Sequence, residues 1–160
     1  MKNWLTVLSD KEIIVALGKG ILRIVPFSNE KLAPAGYDFG SYSTIDLHPK
    51  DHKLILTSEF VELSAQILAT IHLKSSLARE GVTGSFAIVD PGYRGRLTLS
   101  LYNAGKTVVH IEKNEPIVQI VFHRTGEPSN HPYRGKYQNS YKITQSRRRA
   151  QANNWQVNKR

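Results

Sequence analysis

The sequence predicts a mainly β domain, a sandwich or barrel of short strands with one short helix near its start. Three observations predict it. Apolar, β-branched runs recur along the chain at 21–27, 52–60, 61–74, 85–90, 96–103, 106–112 and 116–124, and such runs fit a half-buried pleated surface. Turn residues punctuate them at short intervals, as in Pro91-Gly92, Asn103-Ala104-Gly105 and Asn114-Glu115-Pro116. Over 96–103 the alternation is clean: Leu97, Leu99 and Leu101 share one face, Thr98, Ser100 and Tyr102 the other. A sheet with one apolar face needs a second layer to cover it.

The helix comes first in the chain. Ser9 followed by Glu12 forms a capping box, a hydroxyl accepting from one orphan N–H while the carboxylate reaches back to another. Ile13, Ile14 and Leu17 supply the apolar face, and Gly18 or Gly20 ends the run. The helix is expected over about residues 10–18. After the strands, residues 126–146 are polar and rich in Gly, Pro, Asn, Ser and Tyr without a sustained period, so they read as a loop or a tail, one that only a ligand would order. The division expected is one nucleotide-binding domain over 1–125, its C-terminal flap over 126–147, and a basic tail over 148–160.

The chain has 160 residues, 40% of them hydrophobic and 22% charged, which suits one globular domain. It has no cysteine, which excludes disulfides, thiolate metal sites and cysteine nucleophiles. No apolar run approaches the roughly 18 residues a membrane helix needs. Charge returns at Asp10 and Lys11, so the opening lacks a signal-peptide core, and the cytoplasm is expected. The net charge is +9. Lys142, Arg147, Arg148, Arg149, Lys159 and Arg160 stand in the last twenty residues without an acid, so most of the excess is in the tail and the body is nearly balanced. LGKG (17–20) lacks the spacing of a phosphate-binding P-loop, and no GxSxG elbow occurs. No protein-ligated metal is assigned to the six histidines.

Four segments hold residues suited to chemistry. SSLAREG (75–81) brings Ser75, Ser76 and Arg79 within five residues; hydroxyls and a guanidinium suit phosphate oxygens. Alone, the same segment reads as a helical turn capped by Ser75 or Ser76. GSFAIVDPGYRG (84–95) puts Asp90 at the end of an apolar strand before a Pro-Gly turn. That suits a general base holding a water, with Tyr93 three residues on to lie against a sugar or base; Asp also simply caps turns. Gln119 is polar inside the apolar QIVF. Tyr133, Arg134, Lys136 and Tyr137 of HPYRGKYQ combine aromatic faces with cations on a mobile stretch that could close over a triphosphate; on composition alone it reads as a solvated tail.

These pieces occur together and in order. VLSDKEI (7–13), PFSNEKLAPAGYDFG (26–40), KSSLAREGVTGSFAIVDPGYRGRLTLSLYNAG (74–105), NEPIVQIVF (114–122) and HPYRGKYQNS (131–140) resemble the dCTP deaminase/dUTPase family, most closely its archaeal-type dUTPase branch. The resemblance spans about residues 7–147. It implies a jelly-roll-like β-sandwich or barrel of the dUTPase type, assembled as a homotrimer with sites at subunit boundaries. It implies dUTP as substrate, cleaved to dUMP and pyrophosphate with Mg²⁺ bound mainly by the triphosphate. Ser75, Ser76 and Arg79 would then bind phosphate oxygens. Asp90 would touch the deoxyribose 3′-hydroxyl or orient the attacking water. Tyr93 would pack on the sugar. A strand from Gly84 through Phe86 to Val89 would read the pyrimidine edge through its backbone. Gln119 and Tyr133 match nucleotide-contacting positions, Lys136 and Tyr137 would belong to the flap, and Asp38 would hold waters of the Mg²⁺.

The departures narrow the activity. In the deaminases of this family the strand after DPG carries a glutamate that moves protons at the cytosine ring; here that position is Ser100. Serine cannot replace a carboxylate as general acid or base near neutral pH. Ser140 stands where the deaminases usually have a second Gln after GKYQ, and Lys74 replaces the usual Arg before SSLAR. dUTP hydrolysis is therefore favoured over dCTP deamination. A third reading is a nucleic-acid or nucleotide binder without catalysis, its tail SRRRAQANNWQVNKR (146–160) tracking phosphates and stacking a base.

Overall fold

The computed structural model describes residues 6–148. In chain order the elements are β1 (Thr6–Val7), α1 (Asp10–Gly18), β2 (Leu22–Val25), β3 (Leu32–Ala33), β4 (Gly36–Gly40), β5 (Ile45–Leu47), β6 (His52–Leu63), β7 (Ile67–Leu73), α2 (Ser75–Arg79), β8 (Val82–Ser85), β9 (Arg94–Asn103), β10 (Val109–Ile111) and β11 (Pro116–Arg124). The fold is mainly β, as expected, and jelly-roll-like. One antiparallel sheet runs β1-β11-β4-β3 with β7 paired to the other side of β11; a second runs β2-β6-β9-β8; β5 and β10 form a two-stranded ribbon.

Both larger sheets feed one core. Ile24, Ile55, Val61, Leu97, Leu99 and Leu101 of one sheet and Tyr37, Phe39, Ile67, Val118 and Phe122 of the other belong to a single buried cluster. Fully burying each such side chain is worth roughly 1.5–3 kcal/mol. The β9 alternation predicted for Leu97, Leu99 and Leu101 is the observed one: these three are buried, while Thr98 and Ser100 are only half-buried. The capping box forms as predicted. The Glu12 N–H donates to Ser9 Oγ at 3.4 Å and the Ser9 N–H donates to the Glu12 carboxylate at 2.9 Å.

Three expectations are corrected. The runs 52–60 and 61–74 do not divide at residue 60. β6 continues to Leu63 through a register shift between Leu56 and Phe60, which turns Thr57, Ser58 and Glu59 inward. Glu59 is satisfied there by Lys31 Nζ at 2.5 Å and the Gly40 N–H at 2.8 Å, so a polar triplet that looks like a break is an internal bulge. The run 85–90 is not a strand. β8 ends at Ser85, and only Val89 rejoins a sheet, exchanging hydrogen bonds with Ala69 at 2.9 Å. Finally, Ser75–Arg79 is a short helix, but its N-cap is Lys74, with no side-chain cap bond.

Candidate active site

A cavity of about 570 Å³ opens against the outer face of β9. Its position follows from local structure. Asp90-Pro91-Gly92-Tyr93 is a tight turn closed by the Tyr93 N–H donating to the Asp90 carbonyl at 3.1 Å. Gly92 has φ +84°, the left-handed value that the third residue of a type II turn requires. A Cβ there would also meet Pro132 Cβ at 2.6 Å. The turn thus presents Asp90 outward, exposed, while Tyr93 turns inward and is buried. Tyr93 Oη donates to the Arg96 carbonyl at 2.9 Å. Burial pushes the Tyr93 phenol up to about 12, partly offset by a hydrogen bond with Ser140.

Phe86 folds back over Gly84. A Cβ at Gly84 would lie 2.6 Å from Phe86 Cζ and 2.7 Å from the Ser100 carbonyl, so only glycine allows the ring and β9 to close up there. The segment after β11 forms another wall. The Tyr133 N–H donates to the Pro91 carbonyl at 2.7 Å, the Asn139 N–H to Arg94 at 2.8 Å and the Arg96 N–H to Ser140 at 2.7 Å. Gln138 Nε2 donates to the Gly92 carbonyl at 2.8 Å. The Tyr93 and Tyr133 rings pack with centroids 5.7 Å apart. This segment lacks helices and strands, as the sequence suggests, yet it is tied along its length to the rim of the cavity.

Of the residues singled out from the sequence, Phe86, Asp90, Tyr93, Tyr133 and Tyr137 line this one cavity, and Ser100 joins them. Among the described residues that line it, Asp90 is the only acid. Gly84 lies beside it in β8, opposite Leu101. Lys136 is exposed and is not part of the lining; its Nζ donates to the Arg147 carbonyl at 2.9 Å and stands 5.7 Å from the centre of the Tyr137 ring.

Ser75, Ser76 and Arg79 are not brought to the cavity within one chain. They are exposed on α2, which buried Leu77 anchors. Asp38 and Gln119 are cross-strand partners on β4 and β11, and His72 of β7 faces Gln119 from the other side. Lys74 Nζ donates to Asp38 Oδ2 at 2.7 Å, while Asp38 Oδ1 is buried without a hydrogen-bond partner. Residues 149–160, with most of the basic tail, lie outside the described residues.

Sequence reasoning missed His52. Its Nε2 lies 2.8 Å from Ser100 Oγ, and both side chains line the cavity. The two residues stand 48 positions apart, and only the β6–β9 register, which sets His52 opposite Tyr102 and Leu54 opposite Ser100, makes them diagonal neighbours on one face. His48 and His52 have the four-residue spacing of a helical metal pair, but Pro49 follows His48, and His52 begins a strand. Among the described residues no group of three or more His, Asp or Glu side chains gathers to hold an ion, and no helix is long and apolar enough to cross a membrane.

Comparison with known proteins agrees with this architecture. A dCTP deaminase-like family model matches residues 40–125. A Thermococcus gammatolerans protein named dCTP deaminase is 46% identical over 141 residues, covering 79% of this chain and 90% of that protein. A protein of Sulfolobus islandicus rod-shaped virus 1, named "Probable deoxyuridine 5′-triphosphate nucleotidohydrolase", is 30% identical over 154 residues, covering 86% of this chain and 96% of the viral one. Among solved structures, the 2′-deoxycytidine 5′-triphosphate deaminase from Agrobacterium tumefaciens superposes with a TM-score of 0.66 at 17% identity, over 76% of this chain and 49% of that one. Native EIAV dUTPase superposes at 0.56 and 21% identity, over 72% and 98%. At these identities the two structures speak to the fold alone. The family model and the sequence relatives go further: the chain belongs to the dCTP deaminase-like family and is a nucleotide-processing enzyme of the dUTPase/dCTP deaminase kind.

Proposed function

We propose that the chain is a dUTP diphosphatase, converting dUTP and water to dUMP and pyrophosphate. The observation that carries the reading is the chemistry of the cavity: one exposed carboxylate, Asp90, and a serine at position 100 with a histidine, not an acid, as its partner. Hydrolysis needs one base to hold a water; deamination needs a second acid at the ring, which this wall does not supply.

In this reading Asp90 holds a water and accepts its proton as the water oxygen bonds to the α-phosphorus. The bond from that phosphorus to the bridging oxygen breaks, and pyrophosphate leaves. Tyr93 and Tyr133 pack the deoxyribose. The backbone from Gly84 through Phe86 to Val89 reads the pyrimidine edge, now from a loop rather than a strand. Gln119 contributes a nucleotide contact. Tyr137 and Lys136 close over the phosphates. Ser75, Ser76 and Arg79 bind phosphate oxygens of a site completed by a neighbouring subunit in a homotrimer, since they lie away from Asp90 in their own chain. A Mg²⁺ bound with the triphosphate would neutralise part of its charge. Such an ion would be held by the phosphates, and Asp38 would reach one of its waters only by swinging Oδ1 out of its buried position.

The expected result of Asp90→Asn is a loss of dUTP turnover on the order of 10²–10⁴, with the thermal midpoint unchanged because the carboxylate is exposed. Wild-type turnover in this variant would defeat the mechanism. A second reading, dCTP deaminase, is favoured by the name of the 46% identical relative. Incubation with each deoxynucleoside triphosphate, following pyrophosphate and ammonia separately, decides between them: pyrophosphate from dUTP supports hydrolysis, and ammonia from dCTP supports deamination.

A further inference from the structure

We propose that Ser100, positioned by His52, reads the substituent at position 4 of the pyrimidine and selects the carbonyl of uracil over the amino group of cytosine. The inference rests on the hydrolase reading for the position of the base, but it concerns recognition and not turnover.

The two side chains form a hydrogen-bonded pair, His52 Nε2 to Ser100 Oγ at 2.8 Å, on the cavity face of adjacent strands. Ser100 is half-buried in the wall next to the Gly84–Phe86 contact, and His52 is exposed at the edge. An imidazole has three states. The charged ring and the Nε2–H tautomer both donate from Nε2; only the Nδ1–H tautomer accepts there. In two of the three states the serine oxygen accepts from His52, and its own proton turns to the cavity. That hydroxyl then meets an acceptor such as the uracil O4. The cytosine amino group brings a donor to the same point; the second lone pair of Oγ can accept it, but the serine proton must then turn away from the cavity, where it finds an acceptor only if His52 is the Nδ1–H tautomer. A carboxylate at position 100 would reverse this preference, because it only accepts. Ser100 thus contacts substrate, and His52 is a positioning residue acting through it.

The test is binding of the non-hydrolysable α,β-imido-dUTP and α,β-imido-dCTP to the full chain with Mg²⁺, by calorimetry, so that no catalytic step enters. Wild type should bind the uracil analogue about tenfold tighter than the cytosine analogue, the worth of one well-placed polar contact. Ser100→Ala should lose most of that ratio through weaker uracil binding. His52→Ala, a change at an exposed position, should do the same, and His52→Gln, whose amide nitrogen still donates, should restore it. A merely structural role would lower both affinities and leave their ratio intact. An unchanged ratio in Ser100→Ala overturns the proposal, as does tighter binding of the cytosine analogue by wild type. A protein that selects the uracil analogue through Ser100 but fails to turn over dUTP would refute the hydrolase reading while leaving this one standing.

Discussion

Tyr93 links the site to stability through its proton. Burial raises its phenol to about 12 from an ordinary value of 10. The folded state therefore holds this proton more tightly than the unfolded chain, and the associated stability is present below pH 10 and disappears as pH rises towards 12. In urea titrations from pH 8 upward, wild type should lose stability more steeply across that window than Tyr93→Phe, which has no proton to lose. The ion pair at Lys74 shows a different economy. Its ammonium satisfies Asp38 Oδ2 and leaves Oδ1 bare. An arginine, the residue usual at this position by resemblance, carries a planar fork that reaches both oxygens of a carboxylate. The orphaned oxygen is what remains when a point charge stands where a fork would fit.

At the level of elements, much of the fold was legible because local chemistry and tertiary structure ask for the same thing. The capping box specified α1 at Asp10–Gly18, and the apolar run PIVQIVFHR specified β11 at Pro116–Arg124. Removing the cap with Ser9→Ala should cost about 1 kcal/mol in a urea titration, without altering turnover, since α1 lies far from the cavity in the chain and supplies none of its lining. Elsewhere the two disagreed. β4, Gly-Tyr-Asp-Phe-Gly, begins and ends with a residue that weakens strands, and it forms because β11 and β3 pair it on both sides. The apolar run after Ser85 looks like a strand, yet Phe86 leaves the ladder to cover Gly84 and Ile88 points to solvent. The site was legible to the same degree: Asp90 and Tyr93 sit within one turn that the Pro-Gly pair announces, whereas the His52–Ser100 contact depends on a register that no local signal encodes.

For the whole molecule, the separation of α2 from the cavity has a direct consequence. If the proposed trimeric site takes Asp90 from one subunit and Arg79 from another, Asp90→Asn and Arg79→Ala homomers should each be nearly inactive, and a mixture dissociated and reassembled should regain part of the wild-type dUTP turnover. Recovery would be impossible if both residues served the same site from one chain. Light scattering on the same samples should give three times the 18.0 kDa of the chain.

The polar segment that follows β11 also offers a way to watch the molecule at work. Its Tyr141 ring stacks on Phe60 with centroids 5.7 Å apart and planes 15° from parallel, while remaining half open to water. The chain's two tryptophans are Trp4 and Trp155, and none of the described residues that line the cavity carries an indole. Tyr141→Trp with phenylalanine at positions 4 and 155 would place a single fluorophore where docking of this segment changes its solvent exposure, and stopped-flow emission would time the wall's release against pyrophosphate departure.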